Sequence, residues 1–194
     1  MSFIGQYFKN KWHGFHEWGV SNEETLLTYP CDSVPDLPET VYFRGIDINS
    51  SVEQVFPWLC QMKVAPYSYD WLDNFGKRSP QHLTKELTHL EMGQVFMTGF
   101  KLVDFKANSH VTIRSRDELS WWMRVFGDLV VSYCLFPKGE NNCRLVVKLR
   151  LAYPKGILMK PLMKMLLPPG DTFMMHKQIS NFKKLSEKIK TTES

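Results

Sequence analysis

The stretch "CRLVVKLRLAY" at 143–153 places the tightest limit on what this chain folds into. Leu145, Val147, Leu149, Leu151 and Tyr153 face one way, and Arg144, Lys148 and Arg150 the other. Successive side chains of a strand point to opposite sides, so this segment offers one apolar face to a core. One strand cannot bury that face alone. "TVYFRGIDI" (40–48), "GQVFMTG", "KLVDFKA", "HVTIRSR", "LSWWMRVF" and "LVVSYCLF" supply neighbours, rich in β-branched and aromatic residues. The connections marked by "TGF" (98–100), "FGD" (126–128) and "PKGENN" (137–142) are short, which requires antiparallel pairing. Seven strands in an antiparallel meander are predicted.

Helical periodicity appears in three places. In "NSSVEQVFPWLCQM" a cap at Ser50 or Ser51 precedes Val52, Val55, Phe56, Leu59 and Met62, with a bend or late start at Pro57. In "APYSYDWLDNFG" (65–76), Ser68 or Asp70 caps a short helix that Gly76 stops, with Asp73 near its positive end. Two readings of its aromatics stay open: Trp71, Leu72 and Phe75 packed inward, or Tyr67, Tyr69 and Trp71 forming the wall of a cavity mouth. Finally, "PPGD" reads as the start of a long helix whose stripe is Met175, Ile179, Phe182, Leu185 and Ile189. That stripe needs a partner, and the apolar face of the sheet is the one available. The fold class is α+β.

A chain of 194 residues, 43% hydrophobic and 13% aromatic, suffices for a single domain with a real core. The expected division is an irregular lead-in over 1–39, a sheet with two short helices over 40–153, and a helical region over 155–190. Cys31, Cys60, Cys134 and Cys143 are widely spaced with no CxxC pair, so neither a zinc site nor a redox dithiol is signalled. Residues 1–19 do not read as a secretory leader, and no apolar run approaches the roughly 18 residues of a spanning helix. A cytoplasmic protein is expected. Residues 154–194 hold eight lysines against Asp171, Glu187 and Glu193 but no arginine, a composition that argues against nucleic acid as partner.

"WGVSNEETLLTYPCDSV" (18–34), "FPWLCQM" (56–62), "YSYDWLDNFG" (67–76), "LTHLEMGQVF" (87–96) and "DTFMMHKQISNFKKLSE" together resemble successive blocks of bacterial START-like (SRPBCC, polyketide cyclase and lipid-transport) proteins. The resemblance implies a helix-grip fold, in which a curved seven-stranded antiparallel sheet wraps the last helix and leaves a cavity, with two short helices after the first strand. It implies no activity, since the subgroup concerned has none to carry over. This chain departs from the pattern at "KVAP", where a glycine-rich turn is usual, and at "PCD", where Pro-Gly-Asp is usual.

Catalytic signals are sparse. "HGFHE" (13–17) does not match HExxH, and there is no GxSxG, GxGxxG or P-loop. Asp70 and Asp73 are three apart on a capped helix, which the helix dipole accounts for. No catalytic residue, metal ligand or cofactor is assigned. The surplus of large soft side chains has two outcomes, a packed core or a cavity for an apolar molecule. On the cavity reading, Trp58, Tyr67, Tyr69, Trp71, Trp122, Arg124, Phe126, Tyr133 and Met175 contact a hydrophobic small molecule or lipid. A cyclase- or hydrolase-like activity in the same cavity is the alternative. Separately, "KGILMKPLMKMLLPPG" (155–170) combines Lys155, Lys160 and Lys164 with Met and Leu, a pattern suited to peripheral membrane contact, each lysine adding about 1 kcal/mol near an anionic surface.

Overall fold

The alternating strand at the end of the sequence becomes the middle of a sheet. The computed structural model describes residues 14–35, 40–116, 118 and 125–192. In chain order these form β1 (Glu17–Trp18), α1 (Asn22–Thr25), a 3-10 turn (Pro30–Ser33), β2 (Thr40–Ile48), α2 (Val52–Cys60), α3 (Asp70–Asp73), β3 (Val95–Phe96), β4 (Phe100–Lys106), β5 (His110–Ser115), β6 (Asp128–Pro137), β7 (Cys143–Ala152) and α4 (Met159–Thr192). The seven strands lie in the order β1-β2-β7-β6-β5-β4-β3. All pairs are antiparallel except β1 with β2, which is parallel.

Seven strands were expected, and their membership differs. β1 comes from the segment read as an irregular lead-in. Of "LSWWMRVF", residues 119–124 lie outside the described residues, while Val125 and Phe126 are helical rather than extended. The chain enters β6 through Gly127, whose φ of +87 favours glycine and whose Cβ position would fall 2.1 Å from the Ala152 carbonyl oxygen. A strand running straight into β6 is incompatible with that tight approach.

α4 also differs from its expected limits. It begins at Met159 and passes through Pro168 and Pro169, so "PPGD" is not its start. The buried positions Pro168, Met175, Ile179, Phe182 and Leu185 share one side of the helix, and packing overrides the local start signal. Thr172 Oγ1 donates to the Pro168 carbonyl at 2.9 Å. The side chain of Ile189 lies outside the described residues. α2 likewise accommodates Pro57 in its interior, with Ser51 at the cap position.

The sheet is buried on both sides at its centre. Inward-facing Tyr42, Ile48, Val131, Tyr133, Leu135, Leu145, Val147, Leu149 and Leu151 pack with α2 and α4 in one core, the helix-grip arrangement. On the opposite face, Phe43, Val130, Cys134 and Val146 pack under Tyr29 and Cys31 of the N-terminal segment. The cations of β7 clasp that segment. Arg144 bonds both carboxylate oxygens of Glu24 at 2.7 and 2.9 Å, Lys148 reaches Asp32 at 2.8 Å and lies over the Tyr29 and Phe43 rings, and Arg150 donates to the carbonyls of Cys31 and Val34. The segment crosses the sheet edge at Gly19, where a Cβ would lie 2.3 Å from the Gly45 carbonyl oxygen.

Arg44 points the other way, toward α4. It is 1% exposed. Its guanidinium donates to the carbonyls of Phe15 (2.7 Å), His16 (2.9 Å) and Phe43 (2.8 Å), to Asp171 (2.5 Å) and to Thr172 (3.1 Å). Burial raises the Asp171 carboxyl above its ordinary range, and the Arg44 charge opposes that shift.

Two stability predictions follow from these clasps. Arg44→Met removes the cation that faces buried Asp171 and donates to three carbonyls, and is expected to destabilise the fold by about 3–5 kcal/mol. Urea denaturation measures this, and adding Asp171→Leu should recover part of the loss. Hydrogen bonding from Arg144 holds the Glu24 carboxyl below its ordinary value, with burial opposing. A lowered acid contributes stability above the unfolded glutamate value of about 4.3 and loses it as pH falls through the lower folded value. Glu24→Gln should therefore cost about 1 kcal/mol at neutral pH. The gap between the two proteins should close below about pH 4.

Candidate ligand site

The sequence-nominated side chains separate into an interior group, a surface group and a group beside the open end of the sheet. Trp58 from α2, Tyr67 from the loop after it, Tyr133 from β6 and Met175 from α4 share the core between sheet and helix. The Trp58 and Tyr67 rings meet edge to face at 6.0 Å, and Tyr67 leans on Phe182 at 5.5 Å. Tyr67 has a φ of +58, a left-handed conformation that turns its side chain inward. Burial pushes its hydroxyl up to about 12, partly countered by the hydrogen bond it accepts from Gln61 Nε2 at 2.7 Å.

A polar line runs through this apolar interior. The Tyr133 hydroxyl donates to Gln178 Oε1 at 2.8 Å, and Gln178 Nε2 donates to the Pro66 carbonyl at 2.6 Å. The sulfurs of Met62, Met97 and Met175 lie alongside at 3.7–3.9 Å from these polar atoms. Trp58 Nε1 is buried and has no hydrogen-bond partner. Gln178 was not nominated from sequence, although it is a polar residue three positions after Met175 on the buried side of an amphipathic helix. That misplacement was the available signal.

Tyr69 and Trp71 do not join the interior. Tyr69 stacks flat on Phe173 of α4, with centroids 4.3 Å apart and 3° between planes. Trp71 is 72% exposed, and neither reading of it holds geometrically: it is not packed inward, and it does not form a wall with Tyr67. Leu72 and Phe75 are also exposed. The cause lies in the two aspartates. Asp70 accepts from the Ser79 amide at 2.9 Å and hydroxyl at 2.5 Å, and Asp73 accepts from the Ser68 hydroxyl. These bonds turn the acidic side of α3 to the body and its aromatic side outward. Burial raises the Asp73 carboxyl, with the Ser68 bond opposing.

At the end of the sheet where β6 begins, β7 ends and α4 starts, there is a concave site of about 690 Å³. Val125, Gly127, Asp128, Ala152, Tyr153, Pro154, Lys155 and Met159 line it. Asp128 is paired with Arg114 at 2.7 Å. The Tyr153 hydroxyl lies 2.6 Å from that of Tyr42, whose ring stacks on His16. Lys164 Nζ sits 5.6 Å from the centre of the Tyr153 ring. Phe126 is half-buried between two residues of this lining, while Trp122 and Arg124 lie outside the described residues.

The buried cysteines are held in their neutral form. Burial pushes the Cys60 and Cys134 thiols up to about 12 and Cys143 up to about 11, so each is a neutral thiol at physiological pH. Among the described residues, no three His, Cys, Asp or Glu side chains converge as a metal would need. His13 lies outside the described residues, and His176 meets Trp18 edge-on.

No family model matches the chain, and no curated protein matches it. Solved structures do. An aromatase/cyclase from a Streptomyces species is similar at 10% identity with a TM-score of 0.51, over 76% of this chain and 93% of that one. A hypothetical protein from Helicobacter pylori is similar at 10% identity and the same TM-score, over 82% of this chain and 95% of that one. With the sheet order and the gripped C-terminal helix, these similarities establish that the chain has the helix-grip fold.

Proposed function

We propose that this protein binds a hydrophobic small molecule or lipid between its sheet and α4, with access at the concave site beside Tyr153. The observation that carries the reading is the size and lining of that site. About 690 Å³ falls within the range of small-molecule pockets, and apolar walls with a few placed polar groups are their usual composition. Asp128, Lys155 and Tyr153, whose hydroxyl is held by that of the buried Tyr42, are the polar groups here. The methionines along the Tyr133–Gln178 line can repack around an entering apolar group. That one solved structure with this fold is an aromatase/cyclase supports small-molecule binding as its use.

A second reading, contact of 155–170 with a membrane surface, has its own observation. Ile157 is 94% exposed and Leu158 85% exposed. Large apolar side chains are seldom left in water as a contiguous group without a partner.

Native mass spectrometry of protein purified from its own host, with organic extraction and a library of lipids and polycyclic aromatics, tests the ligand reading. A stoichiometric apolar adduct is expected. Met159→Trp fills the mouth of the site and should weaken retention about tenfold without changing the unfolding midpoint. A chain that stays empty throughout, or a Met159→Trp variant that binds as the unmodified protein does, would sink this assignment.

A further inference from the structure

The membrane-surface reading rests on one segment of α4. The exposed apolar side chains continue beyond it. Ile157, Leu158, Leu162, Met165, Leu166 and Phe173 are all exposed. From Leu162 onward the spacings of three, four and seven to eight keep them on one flank of the helix. From Leu162 to Phe173 the span along the axis is roughly 16 Å.

At the Phe173 end this flank meets α3. Tyr69, the residue before α3, stacks on Phe173, and the loop leading to it is fastened to α4 by Gln178 bonding the Pro66 carbonyl and Asn181 bonding the Tyr67 carbonyl at 2.8 Å. Trp71, Leu72 and Phe75 then extend the exposed apolar surface, Phe75 at 88% exposure. Two chain segments nearly a hundred residues apart thus present aromatic and aliphatic groups side by side.

The rim is cationic. Lys155 is exposed two residues ahead of Ile157, and Lys77 and Arg78 are exposed just after Phe75. Residues 155–170 contain no acidic side chain, and the two aspartates of α3 are turned to Ser68 and Ser79. An apolar helix flank bordered by lysine, with a tryptophan at its edge, matches an anionic lipid interface: apolar groups enter the acyl boundary, indole sits at headgroup level and ammonium groups meet phosphate.

We infer that α3 and the first half of α4 form a single docking surface for an anionic bilayer, with Trp71 and Phe75 as a second anchor. This rests on the membrane-surface reading and extends it to residues outside 155–170. Docked in this way, Lys155 and Met159 of the concave site lie on the same helix start that meets the bilayer, so a ligand drawn from the lipid phase has a short path.

The test is co-sedimentation of the full chain with vesicles of phosphatidylcholine alone and of phosphatidylcholine with phosphatidylglycerol. Preference for the anionic vesicles is expected. Trp71→Ala with Phe75→Ser should lower partitioning about tenfold, and Leu158→Ser with Leu162→Ser by a similar factor. As these side chains are exposed, unfolding midpoints should not move. Tryptophan emission should shift to the blue on vesicle binding, and the part of that shift due to Trp71 should vanish in Trp71→Phe. If the α4 variant loses binding while the α3 variant keeps it, and the Trp71→Phe shift is unchanged, the second anchor is wrong although membrane contact stands. If the unmodified chain stays in solution with both vesicle types, both ideas fail. A dimer that Phe75→Ser disperses, without vesicle binding, would assign the surface to a second copy and overturn the inference.

Discussion

The buried guanidinium of Arg44 ties together three parts of the chain. It sits on β2, reaches Asp171 and Thr172 on α4, and receives the carbonyls of Phe15 and His16 just ahead of β1. An isolated charge in this position would be prohibitive, since several kcal/mol of hydration are lost when an ion leaves water. Five donated hydrogen bonds and the Tyr42 ring below offset that cost, although Nε is left unpartnered. The geometry fixes where α4 crosses the sheet. A methionine there would pack, but it would not specify one crossing point over another.

From that anchor the two sheet faces follow different physics. The inner face is held by area: apolar residues of β2, β6 and β7 meet α2 and α4, and burial of such surface is worth roughly 25 cal/mol per Å². The outer face holds its cover by directed bonds. Arg144, Lys148 and Arg150 each take a separate partner on the N-terminal segment, while the apolar contacts beneath are limited to a small cluster. Lowering the pH weakens the outer clasp as Glu24 takes up its proton, and the raised Asp171 carboxyl makes the Arg44 pair sensitive as well, while the apolar contacts of the inner core do not titrate.

How far the sequence carried this depends on whether the deciding partner was local. The period-two pattern of 143–153 is a property of neighbouring residues, so the core face of β7 was legible. That its cations would clasp a segment over a hundred residues upstream was not, because no local signal pairs Arg144 with Glu24. The interior position of Met175 was legible for a similar reason, since helical periodicity turns it inward, whereas Tyr67, read as part of a cavity mouth, lies in the core. Trp71 was not legible either. Four helical residues are too few to carry a period, and what orients α3 is the bonding of Asp70 and Asp73 to Ser79 and Ser68, which propensity does not encode. At "PPGD" the local rule for helix starts lost to packing, since Pro168 is itself buried on the side that carries Met175 and Ile179.

The same helix that closes the core also fixes the surface. Phe173, Gln178 and Asn181 occupy one stretch of α4, and their partners Tyr69, Pro66 and Tyr67 occupy one stretch of loop. Because a helix moves as a unit, a shift of α4 along its axis moves the Gln178 amide relative to Tyr133 and carries Tyr69, and with it α3, in the same direction. The mechanical link runs through three side-chain contacts, each with a defined partner, and needs no rearrangement of the sheet.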